Sequence, residues 1–189
     1  MKKSEYKPKV YPTPLPVILL GANIKGKPNF NVIAYSGIIS RNPAVIYVSS
    51  QETNYTNEGI HENKTFSANI PSADMVKKVD YCGIVSGKNV DKSEIFDVFY
   101  EELETAPMIK ECPLNMECKV IDQLKISKME VFVGEIVQSY IGEDYVTEGK
   151  PNIKKINPLI YSLERRYYFE LGKIIADGLS IGKEYKPEL

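Results

Sequence analysis

Short apolar runs broken by turn residues dominate this chain. Residues 17–22 read as a strand. Residues 25–29 carry Gly26 and Pro28 and read as a turn. Residues 31–39 and 44–50 read as two more strands, split by Arg41, Asn42 and Pro43. Residues 54–63 form a short helix pattern, with Asn54 as the cap and Tyr55 and Ile60 on its apolar side. Residues 65–70 return to strand character. Ser72 then starts a second helix that runs to about Tyr81 and carries Met75, Val76 and Val79 on one side. Asp91 and Glu94 have capping-box spacing, and the following IFDVFYEELE mixes helix and loop signals.

Further β-segments are expected at residues 118–121, 125–126 and 130–140. In the last, Val131 and Val133 share one parity with Glu135, while Phe132 and Ile136 occupy the other. Apolar residues on both parities indicate a strand covered on both faces. Residues 142–158 read as a loop, 167–171 as a closing strand and 173–177 as a helical turn. Residues 1–12 read as a flexible arm, with Pro12, Pro14 and Pro16 forming an extended lead-in. Six or more strands and two short helices, with no strand–helix alternation, predict a mainly β fold. The expected form is a barrel with helices inserted on its surface.

The length of 189 residues fits one domain, and a composition 43% hydrophobic and 26% charged is that of a folded chain. The formal charge of -1 gives no global field for nucleic acid. The apolar run after the basic N-terminus is too short and too proline-rich for a signal peptide. No stretch approaches the ~20 apolar residues of a membrane helix, so a cytoplasmic, membrane-free protein is expected. Cys82, Cys112 and Cys118 are odd in number and lack zinc spacing, and His61 is the only histidine. Buried thiols, and no metal, are the expectation.

Two polar segments stand out against this apolar background: SSQETNYT at residues 49–56 and VDYCGIVSGKNVDK at residues 79–92. The latter joins NFNVIAYSGIISRNPAVIYVSS, NYTNEGIHENKTFSANIP, ECPLNMECKV, VFVGEIV and NPLIYSLERRYYFELGKII in one pattern. In order and spacing the set resembles the flavin reductase-like family, the flavoredoxin-type FMN-binding split barrel.

That resemblance implies a homodimer with FMN near the subunit interface. It places the phosphate at the start of the first helix, near Ser49, Ser50, Gln51, Thr53, Asn54, Tyr55 and Thr56. It places the flavin ring along Ala34, Tyr35, Ser36, Gly37 and Ile38, with Cys82, Ser86 and Lys92 closing nearby. Many members carry a basic residue where this chain has Asn54. Lys92 stands at a basic position of the family pattern, and an exposed ion pair with Asp91 or Glu94 is its other reading. Cys82 is read as a buried thiol and His61 as a helix-surface or interface side chain. Tyr161, Tyr167 and Tyr168 fit either the pocket or a dimer contact.

The resemblance implies hydride transfer from NADH or NADPH to flavin. A bound-FMN electron carrier fed by a protein donor is the alternative, and a non-redox flavin- or haem-binding barrel is the third. Hydride transfer requires aligned rings rather than a protein acid–base pair, so no catalytic residue is expected.

Overall fold

The computed structural model describes residues 2–10 and 13–187. Its main sheet has seven strands: β1 (Ile18–Ile24), β2 (Lys27–Ile33), β3 (Ser36–Arg41), β4 (Ala44–Gln51), β5 (Thr65–Ile70), β6 (Leu114–Ile126) and β7 (Met129–Ile141). All neighbours are antiparallel, in the spatial order β2-β1-β5-β6-β7-β4-β3. The two outermost strands, β2 and β3, are successive in the chain, with only Ala34 and Tyr35 between them. At no more than ~3.6 Å per residue, the step from Ile33 to Ser36 spans at most about 11 Å. The edges therefore meet, and the sheet rolls into a split barrel with its seam at Ala34 and Tyr35. At the seam the Ser49 amide of β4 donates to the Tyr35 carbonyl at 2.7 Å, one step beyond the β3–β4 ladder.

β1 serves two cores. Ile18, Leu20 and Ala22 enter the barrel with Ile46, Val48, Ile60, Phe66 and Phe132. Leu19 turns to an outer layer formed with Val17, Phe30, Val79, Cys82 and Phe96. A strand buried on both faces has no solvent-facing side to present, hence the apolar run from Val17 to Ala22; the one polar residue, Asn23, is buried and donates to the Glu104 carbonyl at 3.2 Å. At Gly21 any Cβ would run into the Pro107 carbonyl and the Ser67 hydroxyl. Glu117 on β6 is wholly buried, and its carboxylate accepts from the Leu103 and Glu102 amides at 2.9 and 3.2 Å and from the Tyr140 hydroxyl at 3.0 Å. These bonds fasten the segment before Thr105 to the barrel.

Among the described residues three α-helices sit on this frame: α1 (Thr56–Asn63), α2 (Val76–Ile84) and α3 (Ile153–Ile156). None of the described helices is long and apolar enough to cross a membrane. All three cysteines are buried and unpaired, and no metal-binding group of three or more His, Cys, Asp or Glu occurs among the described residues.

Several expectations need correction. The turn at 25–29 is only Lys25 and Gly26, both with positive φ, and Pro28 lies within β2. As the sheet's terminal strand, β2 tolerates a proline that lacks an N–H. The strand expected over 31–39 breaks at the seam. Asn54 does not cap α1; its amide donates to the Ser50 hydroxyl at 2.9 Å, and Tyr55 occupies the cap position. The Ser72 hydroxyl is taken by Asp74 rather than by a helix amide, and the helix runs past Tyr81 to Ile84. Asp91 caps only a single 3₁₀ turn, Lys92–Glu94.

Residues 118–126 belong to one 13-residue strand. The loop expected at 142–158 contains a small strand pair and α3, which Asn152 caps through Lys154 and Lys155 amides at 3.0 and 3.3 Å. The closing strand is Tyr167–Phe169, paired with Ile160–Ser162. No helical turn forms at 173–177, which has no regular structure and is exposed. Residues 2–10 are exposed and lack helix or strand; Met1, Tyr11 and Pro12 of the expected arm lie outside the described residues.

Candidate functional site

The end of β4 turns tightly into α1. The Asn54 amide donates to the Gln51 carbonyl at 2.9 Å, and Asn57 and Glu58 donate back to Asn54 and Tyr55 at 3.1 Å. This winding leaves the Tyr55 and Thr56 amides without a carbonyl partner among the described residues, as the first turn of a helix must. Thr56 is buried, and its hydroxyl oxygen accepts from the Asn29 side-chain amide at 2.7 Å. With its oxygen so engaged, the Thr56 hydroxyl has its proton free to donate elsewhere.

Opposite this turn lies the end of α2 and the chain that follows it. Together they enclose a cavity of about 170 Å³ lined by Asn29, Asn31, Thr53, Asn54, Tyr55, Thr56, Gly83, Ile84, Val85, Ser86, Gly87 and Lys92. No carboxylate is among these residues. Lys92 is only 4% exposed, and its ammonium donates to the Cys82 carbonyl at 2.7 Å. Burial lowers the Lys92 pKa, partly opposed by the neighbouring Cys82. The side-chain nitrogen of Asn31 is buried with no hydrogen-bond partner. An orphaned donor of this kind costs about 1–3 kcal/mol unless something accepts from it. An amide nitrogen, a hydroxyl, free helix-start amides and a lysine around a carboxylate-free hollow form a donor set suited to an anion such as phosphate. The residues present thus fit the phosphate of FMN.

A second, apolar hollow of about 540 Å³ lies on the other side of the seam. Ser36, Gly37 and Ile38 line it with Ile18, Ile46, Tyr47, Met116 and Ile136. The Ser36 hydroxyl is also buried and unpartnered. Ile38 is 77% exposed at its rim.

The structure therefore brings Thr53, Asn54, Tyr55, Thr56, Ser86 and Lys92 around one cavity, and Ser36, Gly37 and Ile38 around another. Ala34 and Tyr35 form the seam between β2 and β3. Ser49, Ser50 and Gln51 line neither hollow: Ser49 holds the seam, Ser50 holds Asn54, and Gln51 holds the turn. Cys82 also lines neither. Its thiol points to the Phe30 carbonyl at 3.7 Å, and burial pushes its pKa up to about 11 despite Lys92. A protonated, enclosed thiol is not a nucleophile.

Sequence reasoning passed over Asn29 and Asn31, whereas Gly87 stands with Ser86 in the segment that the family resemblance places at the pocket. Asn29 and Asn31 alternate with Phe30 and Val32, so their polar parity was visible once residues 27–29 are counted as strand. At Gly87 a Cβ would collide with the Asn29 amide and lie 3.0 Å from the Tyr55 ring. Behind α1, Glu130 accepts from Asn57 at 2.7 Å and meets the His61 ring nitrogen at 3.2 Å, so this pair ties the helix to β7. Tyr168 donates to Asp80 at 2.9 Å and lies with its ring 5.2 Å from that of Tyr161, bracing α2 rather than entering the cavity.

The family model of the flavin reductase like domain matches residues 10–170 of this chain. The flavoredoxin of Methanosarcina acetivorans has a similar solved structure, with a TM-score of 0.94 and 46% identity, covering 97% of this chain and 99% of that one. The flavoredoxin of Desulfovibrio vulgaris is similar at a TM-score of 0.88 and 32% identity, over 96% and 100%. An uncharacterized protein of Archaeoglobus fulgidus is 30% identical over 145 residues, which are 76% of this chain and 81% of its own.

Proposed function

The chain belongs to the flavin reductase-like family, and from that premise we propose that it binds FMN and transfers hydride from NADH or NADPH to flavin. The carrying observation is the orphaned Asn31 amide in a carboxylate-free cavity beside Thr56 and Lys92. In this reading Thr56, Asn31, the Tyr55 and Thr56 amides and Lys92 hold the phosphate, while Thr53, Asn54 and Ser86 complete the enclosure. β2 leads from Asn29 and Asn31 to Ala34, so the ring belongs beyond them at Tyr35, Ser36, Gly37 and Ile38. The unpartnered Ser36 hydroxyl there suits a polar ring edge, and Ser49, Ser50 and Gln51 keep both segments in register.

Bound FMN supplies the two-electron chemistry. The protein's part is to fix position and to exclude water. The apolar hollow rimmed by the exposed Ile38 is the face for a second copy, giving a homodimer.

The likeness to two flavoredoxins supports a second reading, an electron carrier that holds FMN and takes electrons from a protein donor. Anaerobic mixing of the FMN-loaded protein with NADH or NADPH separates the two. Rapid bleaching of the flavin band supports the reductase; no bleaching, with reduction by a protein donor, supports the carrier.

A further inference from the structure

Residues 172–187 leave the barrel as an arm, and every one of them is exposed. Among the described residues the last hydrogen bond to the body comes from the Leu171 amide, which donates to the Asn157 side chain at 3.1 Å. Beyond it the bonds are internal. The Ser180 and Ile181 amides donate to the Asp177 carbonyl at 3.4 and 3.2 Å, and a 3₁₀ turn follows at Ile181–Glu184. The arm is nevertheless rich in apolar side chains. Ile175 and Leu179 are 92% and 99% exposed, and Ile174, Ile181 and Tyr185 are open to solvent as well. Single apolar residues scattered over a surface are ordinary, but a series along one unpacked segment marks a surface that meets a partner.

The arm starts beside the apolar hollow. In the small sheet next to the barrel, Pro16 pairs with Ile160, and Ile160 with Phe169. At about 4.8 Å per strand, Phe169 stands about 10 Å from Pro16. Pro16 lies on the wall of the hollow of about 540 Å³ that Ser36, Gly37 and Ile38 also line. The arm is thus rooted near the hollow of its own chain, yet leaves that hollow open. The hollow's one charged lining residue is Arg41. The arm carries Asp177 between Ile175 and Leu179. Neither Arg41 nor Asp177 has an ion-pair partner among the described residues. Apolar side chains flanking a carboxylate complement an apolar hollow with a guanidinium in its lining.

We propose that the arm of each copy lies in the apolar hollow of a second copy, so that two chains exchange arms about a two-fold axis. A two-fold axis through this face sets the two hollows opposite each other and brings each arm's root beside the other chain's hollow. At no more than ~3.6 Å per residue the arm reaches on the order of 50 Å, ample to cross such an interface. The exchanged arm covers Ser36, Gly37 and Ile38, so a segment of the other chain closes each flavin ring site. The assignment rests on the readings that this hollow faces a second copy and that the ring lies along its wall.

Sedimentation equilibrium of the full chain and of the Ile175→Asp/Leu179→Asp variant tests the exchange without any need for FMN. Both substitutions fall on side chains that a single copy leaves in water. The wild type should be a dimer, and the variant should dissociate about a hundredfold more readily, with an unchanged circular dichroism spectrum. Co-expressed Ile38→Cys and Ile175→Cys chains, treated with a short bismaleimide, should become linked to one another; the three native cysteines are buried. A monomeric wild type would overturn the homodimer and the exchange together. A dimer indifferent to the aspartates, or the absence of the link, would overturn the exchange and leave the homodimer standing. A link formed within single chains of the Ile38→Cys/Ile175→Cys double variant would also overturn it, since the arm would then cover its own hollow. With FMN bound, iodide should quench the flavin more strongly in the aspartate variant than in the wild type. Equal quenching would remove the arm from the ring site. A wild type that dimerises through its arms but takes up no FMN would overturn the flavin site, and the covering role with it.

Discussion

Asn29 on β2 donates its side-chain amide to the Thr56 hydroxyl at the start of α1, at 2.7 Å. The bond joins an edge strand to a helix and fixes the direction of the Thr56 proton. If that proton meets the flavin phosphate, Thr56→Val should weaken FMN binding by about tenfold, as for a lost hydrogen bond to a charged group. Thr56→Ser should stay near wild type. Fluorescence quenching of FMN measures both, and unchanged affinity in the valine variant would remove Thr56 from the phosphate site.

Lys92 gives the site a pH dependence with a defined sign. Burial lowers its pKa below 10.5, so the unfolded chain binds this proton more tightly than the folded one. This group alone therefore adds stability as the pH rises from its folded pKa toward the ordinary lysine value. FMN binding should show the opposite trend and weaken over that alkaline range, as the ammonium is lost. Lys92→Gln should bind FMN more weakly at neutral pH and show a flatter pH profile. A variant profile that parallels the wild type would exclude Lys92 as the titrating group.

Gly87 tests the packing between the two walls. A methyl group there collides with the Asn29 amide. Gly87→Ala should displace Asn29 from Thr56 and lower FMN affinity by about fivefold or more, with a melting temperature within a few degrees of wild type. Isothermal titration alongside thermal unfolding checks the pair. Normal affinity would show that the wall yields without disturbing the site.

Glu117 carries a prediction about stability alone. Glu117→Leu strands the Glu102 and Leu103 amides and the Tyr140 hydroxyl, and should cost about 3 kcal/mol or more. Tyr140→Phe removes one of the three donors and should cost about 1 kcal/mol. Urea unfolding of both variants measures the difference, and similar small losses in the two would contradict the three-donor arrangement.

How much of this was legible in the chain depended on whether local or distant partners decide each residue's place. The barrel strands were readable because alternation and apolar runs are local signals. The seam was not, since the break at Ala34 and Tyr35 comes from the meeting of two sheet edges. The cap assigned to Asn54 failed because Ser50, four residues back, competes for its side chain. Thr56, Ser86 and Lys92 were identified through a family pattern. Asn29 and Asn31 were hidden when Pro28 was taken as the mark of a turn, whereas on an edge strand it costs no ladder bond. The burial of Lys92 required the fold, because its partner is the Cys82 carbonyl ten residues away.

The most direct measurement is a spectrophotometric titration of flavin-free protein with FMN. A saturable change in the flavin bands at one FMN per chain, weakened in Thr56→Val and in Lys92→Gln, is the expected result. No spectral change at saturating FMN, or binding indifferent to both substitutions, would contradict the site described between β2, α1 and the end of α2.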